Sequence, residues 1–153
     1  METVIERSDI FRGTSPRFLK EIHDGLVEER HEAGDLLFRI GETADHLYML
    51  AQGRVRLSYG EEGRITLVVG NPGGFFGWSS LLERDRYLSS AECQVATTIL
   101  KIRGDRLAAI FEQDPASGLI VLRRLARLIE QRLISTYQAI PGAHGERRAT
   151  QGG

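Results

Sequence analysis

The sequence has little sulfur or imidazole to do chemistry with. Its 153 residues contain one cysteine, Cys93. No intrachain disulfide can form, and no cysteine cluster can hold zinc or an iron–sulfur centre. Cys93 lies among strand-forming residues and reads as a small buried hydrophobe rather than a nucleophile. His23, His31, His46 and His144 are scattered, with no His-x-His pair. A metal-dependent enzyme of the cupin type needs two histidines and a carboxylate on one ion, and this spacing does not supply them. There is no phosphate loop of the nucleotide-hydrolase kind, and no Ser-His-Asp arrangement can be argued. The expectation is a non-enzymatic protein with no metal and no cofactor.

Charge of one sign is also missing. Twenty basic residues stand against 21 acidic ones, a net charge of -1. That argues against a broad nucleic-acid or membrane surface and leaves room for a local basic face. No apolar run reaches the ~18 residues that cross a bilayer. The first residues, Met1–Glu6, lack the basic-then-apolar plan of a signal peptide. The expected compartment is the cytoplasm.

Glycine, by contrast, is plentiful, at 17 residues. From Leu26 onward, runs of three to five β-branched or aromatic-rich residues recur: Leu36-Leu37-Phe38, His46 to Leu50, Val55 to Tyr59 and Ile65 to Val69. Gly34-Asp35, Gly41-Glu42, Gln52-Gly53, Gly60 to Gly63 and Asn71 to Gly74 separate them. Glycine takes positive φ, and Asn and Asp bond back to their own backbone, so each is a turn. Tyr59 to Arg64 has the form of a hairpin. Ser89 to Val95 and Thr98 to Ile102 add two strands. Short strands at this spacing make a β-sandwich, jelly roll or barrel.

Helical spacing brackets this block. Ser15 caps a helix that begins at Pro16, with Phe18, Leu19 and Ile22 on one face and Gly25 as its C-cap. A hinge helix is expected over about 104–113, Asp114-Pro115 breaks it, and a long helix follows over about 116–138. Leu119, Leu122, Leu125, Ile129 and Leu133 recur along it at three- and four-residue steps, with Ile120, Val121, Leu128 and Ile134 widening the stripe. One flank of a small β-domain does not need that much apolar surface. The expectation is a homodimer through a coiled-coil seam on this helix. Residues 139–153 read as a flexible tail.

Between the two halves of the strand block lies a stretch with neither pattern, Gly70 to Glu92. Glycines and a proline lead through Phe75-Phe76-Gly77 into a short helical turn, Trp78-Ser79-Ser80-Leu81-Leu82, then a charged loop and the small residues Ser89 and Ser90. Glycine-rich backbone running into a helix start exposes N–H groups to an anion.

The order of Gly34-Asp35-Leu36-Leu37-Phe38 with Gly41-Glu42, Leu47 to Leu50 with Gly53 to Arg56, and Gly73-Gly74-Phe75-Phe76-Gly77 resembles the cyclic-nucleotide-binding domain. The resemblance is to the sensor half of the catabolite-activator family, and it covers about residues 8 to 138. It implies a mainly β fold with α-helices: a double-stranded β-helix, or jelly roll, over about 26–103, flanked by N-terminal helices and the long C-terminal helix, within one domain over 1–138. It also implies a cyclic nucleotide ligand, cyclic AMP or cyclic GMP, bound at Phe76, Gly77, Trp78, Ser79, Ser80, Arg86, Tyr87, Ser89 and Ser90. The N-terminal half of the long helix is expected to close over the ligand.

The family's cassette places a glutamate on the ribose and an arginine on the cyclic phosphate. Here Trp78 stands at the glutamate position, Arg86 at a preceding proline, and Tyr87 at the arginine. If the strand bulges, Arg86 reaches the pocket; if not, it is a solvated loop residue. Trp78 either fills the cavity or offers a face to a ligand ring. The alternative to a sensor is a degenerate domain that docks on a partner protein or takes a different ligand. The sequence ends too soon after the long helix for a helix-turn-helix, so direct DNA binding is not expected, and neither is a membrane.

Overall fold

The computed structural model describes residues 2–60 and 62–139. The expected tail beyond residue 139, and Glu61 in the fourth turn, lie outside the described residues. Among the described residues, eight strands form two antiparallel sheets. They are β1 (Val27–His31), β2 (Leu36–Phe38), β3 (His46–Gln52), β4 (Val55–Tyr59), β5 (Ile65–Val69), β6 (Phe75–Phe76), β7 (Ser89–Cys93) and β8 (Thr97–Arg103). One sheet runs β1-β8-β3-β6 and the other β2-β7-β4-β5. This interleaving is the jelly roll. β4 and β5 form the expected hairpin, with Tyr59 opposite Ile65 and, across the other ladder, Tyr59 opposite Ser89.

The helices are α1 (Glu2–Arg7), α2 (Pro16–Gly25), α3 (Gly104–Gln113) and α4 (Pro115–Ala139), with 3-10 turns at Asp9–Phe11 and Trp78–Leu82. They lie against the β1-β8-β3-β6 sheet, which is therefore covered on both faces. That explains the unbroken apolar run in β3. Leu47 and Met49 join Phe18, Ile22, Leu107 and Val121 in the layer under the helices. Tyr48 and Leu50 join Val55, Leu57 and Ile99 between the sheets. The adjacent phenylalanines of β6 divide likewise, Phe75 to the helix side and Phe76 to the roll interior.

Ser15 caps α2, its hydroxyl accepting from Phe18 N–H at 3.1 Å, and Pro16 is the first helical residue. The Ser15 hydroxyl also donates to Asp114 Oδ2 at 2.6 Å. Asp114 Oδ1 in turn accepts from Ser117 N–H at 3.1 Å, capping α4. These bonds hold the Asp114 carboxyl below its usual pKa, the Ser15 hydrogen bond foremost. One serine and one aspartate thus tie the starts of two helices far apart in sequence. Gly25 is not a left-handed C-cap: an added Cβ would lie 2.8 Å from Ile102 Cδ1 and 3.0 Å from Arg106 Nε. It is needed for close approach to β8 and α3 instead.

Phe76 is fully buried, with ring centroids 5.3 Å from Tyr48 and 6.3 Å from Phe38. Phe76→Ala should cost about 3–5 kcal/mol of stability, read as a lower urea midpoint at unchanged slope.

Candidate functional site

The chain leaves β6 through Gly77, at φ 70°. A Cβ here would sit 2.9 Å from Tyr48 Cδ2 and 3.2 Å from Phe38 Cε2. Both the left-handed backbone and the aromatic packing therefore demand glycine. The 3-10 turn Trp78–Leu82 follows and ends at Glu83, also left-handed at φ 58°. Ser79 is buried. Ser80 Oγ is buried without a hydrogen bond and backs onto Gly104, where a Cβ would come within 2.6 Å.

The structure divides the expected ligand residues into two groups. Arg86 is exposed, makes a lone bridge with Thr43, and its Nη1 donates to the Gly41 carbonyl at 2.8 Å. Tyr87 is buried and stacked on Phe38 at 3.9 Å. Its hydroxyl donates to His46 O at 2.9 Å and accepts from His46 N–H at 3.2 Å. Burial pushes its phenol pKa up. Both residues are spent on joining the β2–β3 turn to the loop before β7. Ser90 faces outward and accepts from Ile40 N–H at 2.9 Å. Phe76 lies in the interior of the roll.

Trp78 is placed differently, because Arg132 of α4 lies over its ring. The Arg132 guanidinium carbon lies 5.0 Å from the centre of the Trp78 ring, a cation–π contact. Its Nη1 is out of contact with solvent and has no hydrogen-bond partner. Burial pushes the guanidinium down to about 10, so it remains charged at neutral pH but poorly solvated. Tyr59 lies within reach of that charge. Burial raises the Tyr59 phenol, while Arg132 and a hydrogen bond with Ser89 act against the rise.

A cleft of about 570 Å³ opens beside this group, between α4, the Asp9–Phe11 turn, and β5 with the turn that follows it. Small-molecule sites occupy roughly 300–1,000 Å³. Leu67, Asn71, Leu128, Gln131 and Arg132 are among its walls. The part of α4 over the cleft runs from Arg124 to Arg132, across the middle of the helix. Arg124 also lines it, but its Nη1 is committed to the carbonyls of Asp9, Ile10 and Arg12, and so pins α4 to the turn.

Arg132 and Tyr59 are not among the ligand residues expected from the sequence. The signal for Arg132 is its position. Val121, Leu125, Leu128 and Arg132 follow one another at helical steps of four, three and four, so the arginine stands on the inner, apolar stripe of α4.

The chain belongs to the cyclic nucleotide-binding domain family, whose sequence profile matches residues 28–114. The match begins in β1 and ends at the residue that caps α4. A solved protein from Geobacter metallireducens GS-15, assigned to the cyclic nucleotide-binding class, is 28% identical with a TM-score of 0.73, covering 86% of this chain and 96% of that one. The chain is also similar to the CRP-like cAMP-activated global transcriptional regulator of Mycobacterium tuberculosis, at 27% identity over 140 residues, 86% of this chain and 59% of that protein. A third relative is the cyclic nucleotide-gated channel beta-3 of Mus musculus, 24% identical over 146 residues, 94% of this chain and 21% of that protein. The chain thus spans 21% to 59% of these two curated relatives. No helix among the described residues is long and apolar enough to cross a membrane.

Gly77→Ala tests the local geometry. Forcing a Cβ onto a left-handed residue against Tyr48 and Phe38 should destabilise the fold by about 1–3 kcal/mol. Urea unfolding measures the loss.

Proposed function

We propose that the chain is a non-enzymatic small-molecule sensor of the cyclic-nucleotide-binding type, with its ligand held between the roll and α4. The observation that carries this reading is the cleft beside Trp78 and Arg132, built on a domain of this family. Its walls offer an apolar strand edge at Leu67, the amide side chains of Asn71 and Gln131, and the Arg132 cation, behind which the Trp78 ring lies. Those are the groups that a base, a sugar and a phosphate require. Cyclic AMP and cyclic GMP are the ligands to test first.

The reading includes a homodimer. Leu119, Leu122 and Leu133 are 48%, 40% and 68% exposed, and Ala126 is exposed between them. With the half-buried Ile129 they repeat at steps of three, four, three and four along α4. A seam of that spacing suits a second copy of the same helix. Ligand binding beneath α4 and pairing on its far side then share one element. Binding shifts the pairing geometry to the extent that it favours one position of the helix. The role places the protein in the cytoplasm. It assigns no DNA contact to this stretch, since α1 to α3 are used in covering the sheet.

A second reading has its own support: Trp78 and Tyr87 occupy the positions of the family's two ionic anchors. The domain would then be a docking module for a partner protein, or a receptor for a different ligand. A thermal-shift screen separates the two, because a ligand at a hundred times its dissociation constant adds ~2.7 kcal/mol. A shift with cyclic AMP or cyclic GMP supports the sensor; no shift with any cyclic mono- or dinucleotide supports the docking module. Calorimetric titration of Arg86→Ala should give the wild-type affinity, because that side chain is engaged at Gly41. Leu133→Glu should convert dimer to monomer in sedimentation equilibrium; a wild-type monomer at tens of micromolar would contradict the seam.

A further inference from the structure

We infer that Arg132 is the phosphate-binding cation of this site, carried on α4 in place of a cassette arginine. The inference rests on the ligand site proposed above and names the group that recognises the ligand's charge.

The cassette has no cation to offer. Arg86 donates to Gly41 at the far side of the loop, and Arg84 is exposed. Tyr87, at the arginine position, is locked between Phe38 and His46. Of the arginines lining the cleft, Arg12 is largely exposed and lies 3.4 Å from Asp9, and Arg124 serves the carbonyls of the Asp9–Phe11 turn. Arg127 is exposed to water. Arg132 alone of the four is withdrawn from water with an N–H left over. Among the described residues no carboxylate pairs with it.

A guanidinium N–H kept from water without an acceptor is costly, and an oxyanion relieves that cost. The fork of N–H groups fits a phosphate bidentately. Around it stand the Trp78 ring, against which the guanidinium is already parked, and the Tyr59 hydroxyl on the sheet, itself hydrogen-bonded with Ser89. The cleft brings a ligand to the same guanidinium from the open side. The class of ligand is a small phosphate-bearing anion with a flat apolar part, which a cyclic nucleotide satisfies.

Trp78 is the sole tryptophan of the chain, so its fluorescence reports on the ring beneath Arg132. The full chain is titrated with cyclic AMP, cyclic GMP, adenosine and inorganic pyrophosphate, following fluorescence and thermal midpoint together. The expected result is a saturable Trp78 signal with a phosphate-bearing compound. It weakens by roughly ten- to a hundredfold in Arg132→Met, less in Arg132→Lys, and not at all in Arg86→Ala. Circular dichroism establishes that each variant is folded; if Arg132→Met is not, Arg132→Lys decides. Pyrophosphate binding that depends on Arg132, without cyclic nucleotide binding, supports the inference and removes the nucleotide reading. Cyclic nucleotide binding that survives Arg132→Met unchanged overturns the inference and leaves the sensor standing. Stabilisation by adenosine alone does the same. No response to any of the four overturns both.

Discussion

A sheet buried on both faces is the constraint from which the rest of this structure follows. The β1-β8-β3-β6 sheet has apolar side chains pointing into the roll and equally apolar ones pointing out of it. The outer set has to be covered, so α1 to α4 cannot be loose appendages. Val121 and Leu125 of α4 are part of that cover, each 3% exposed. The Asp114–Ser15 pair fixes where α4 starts, and Arg124 fixes its rotation against the Asp9–Phe11 turn. Once both are set, helical geometry alone carries residue 132 to a place above the cassette turn.

This arrangement changes where the chemistry of the site resides. The resemblance leads one to look for both ionic anchors on the β6–β7 connection. In this chain that connection is occupied with structure: Tyr87 completes an aromatic stack with Phe38, and Arg86 ties down the β2–β3 turn. What remains of the cassette is its shape, namely Gly77, the short turn after it, and a broad ring at position 78. The charge has moved to the helix. On the proposal above, a ligand gripped from α4 is coupled to the position of α4 without any relay through intervening loops, because Arg132 and the exposed apolar stripe of Leu119, Leu122 and Leu133 lie on the same helix.

Much of the fold was legible from the residues. Turn glycines and short strands gave the roll, Ser15-Pro16 the start of α2, and Asp114-Pro115 the start of α4. The two apolar faces of α4 are present too, one packed and one exposed. The site was harder to read, for specific physical reasons. Ser89 and Ser90 are neighbours of like chemistry, but a strand turns one inward and the next outward, and only pairing register tells which. Tyr87 matches a ligand position by counting, yet an aromatic ring beside Phe38 and Tyr48 gains more from stacking than from facing solvent. Arg132 was hidden by its own class, since a charged residue on a helix is ordinarily solvated. Its place on the inner stripe becomes meaningful only when something lies beneath that stripe. Gly25 misled in the same way: its need is set by Ile102, distant in sequence.

The most direct test is a crystal structure of the chain grown with saturating cyclic AMP or cyclic GMP. The account predicts the phosphate within hydrogen-bond distance of the Arg132 guanidinium, in the cleft between α4 and β5. A phosphate held at Arg86, or an Arg132 swung out to solvent while the ligand is bound, would contradict it.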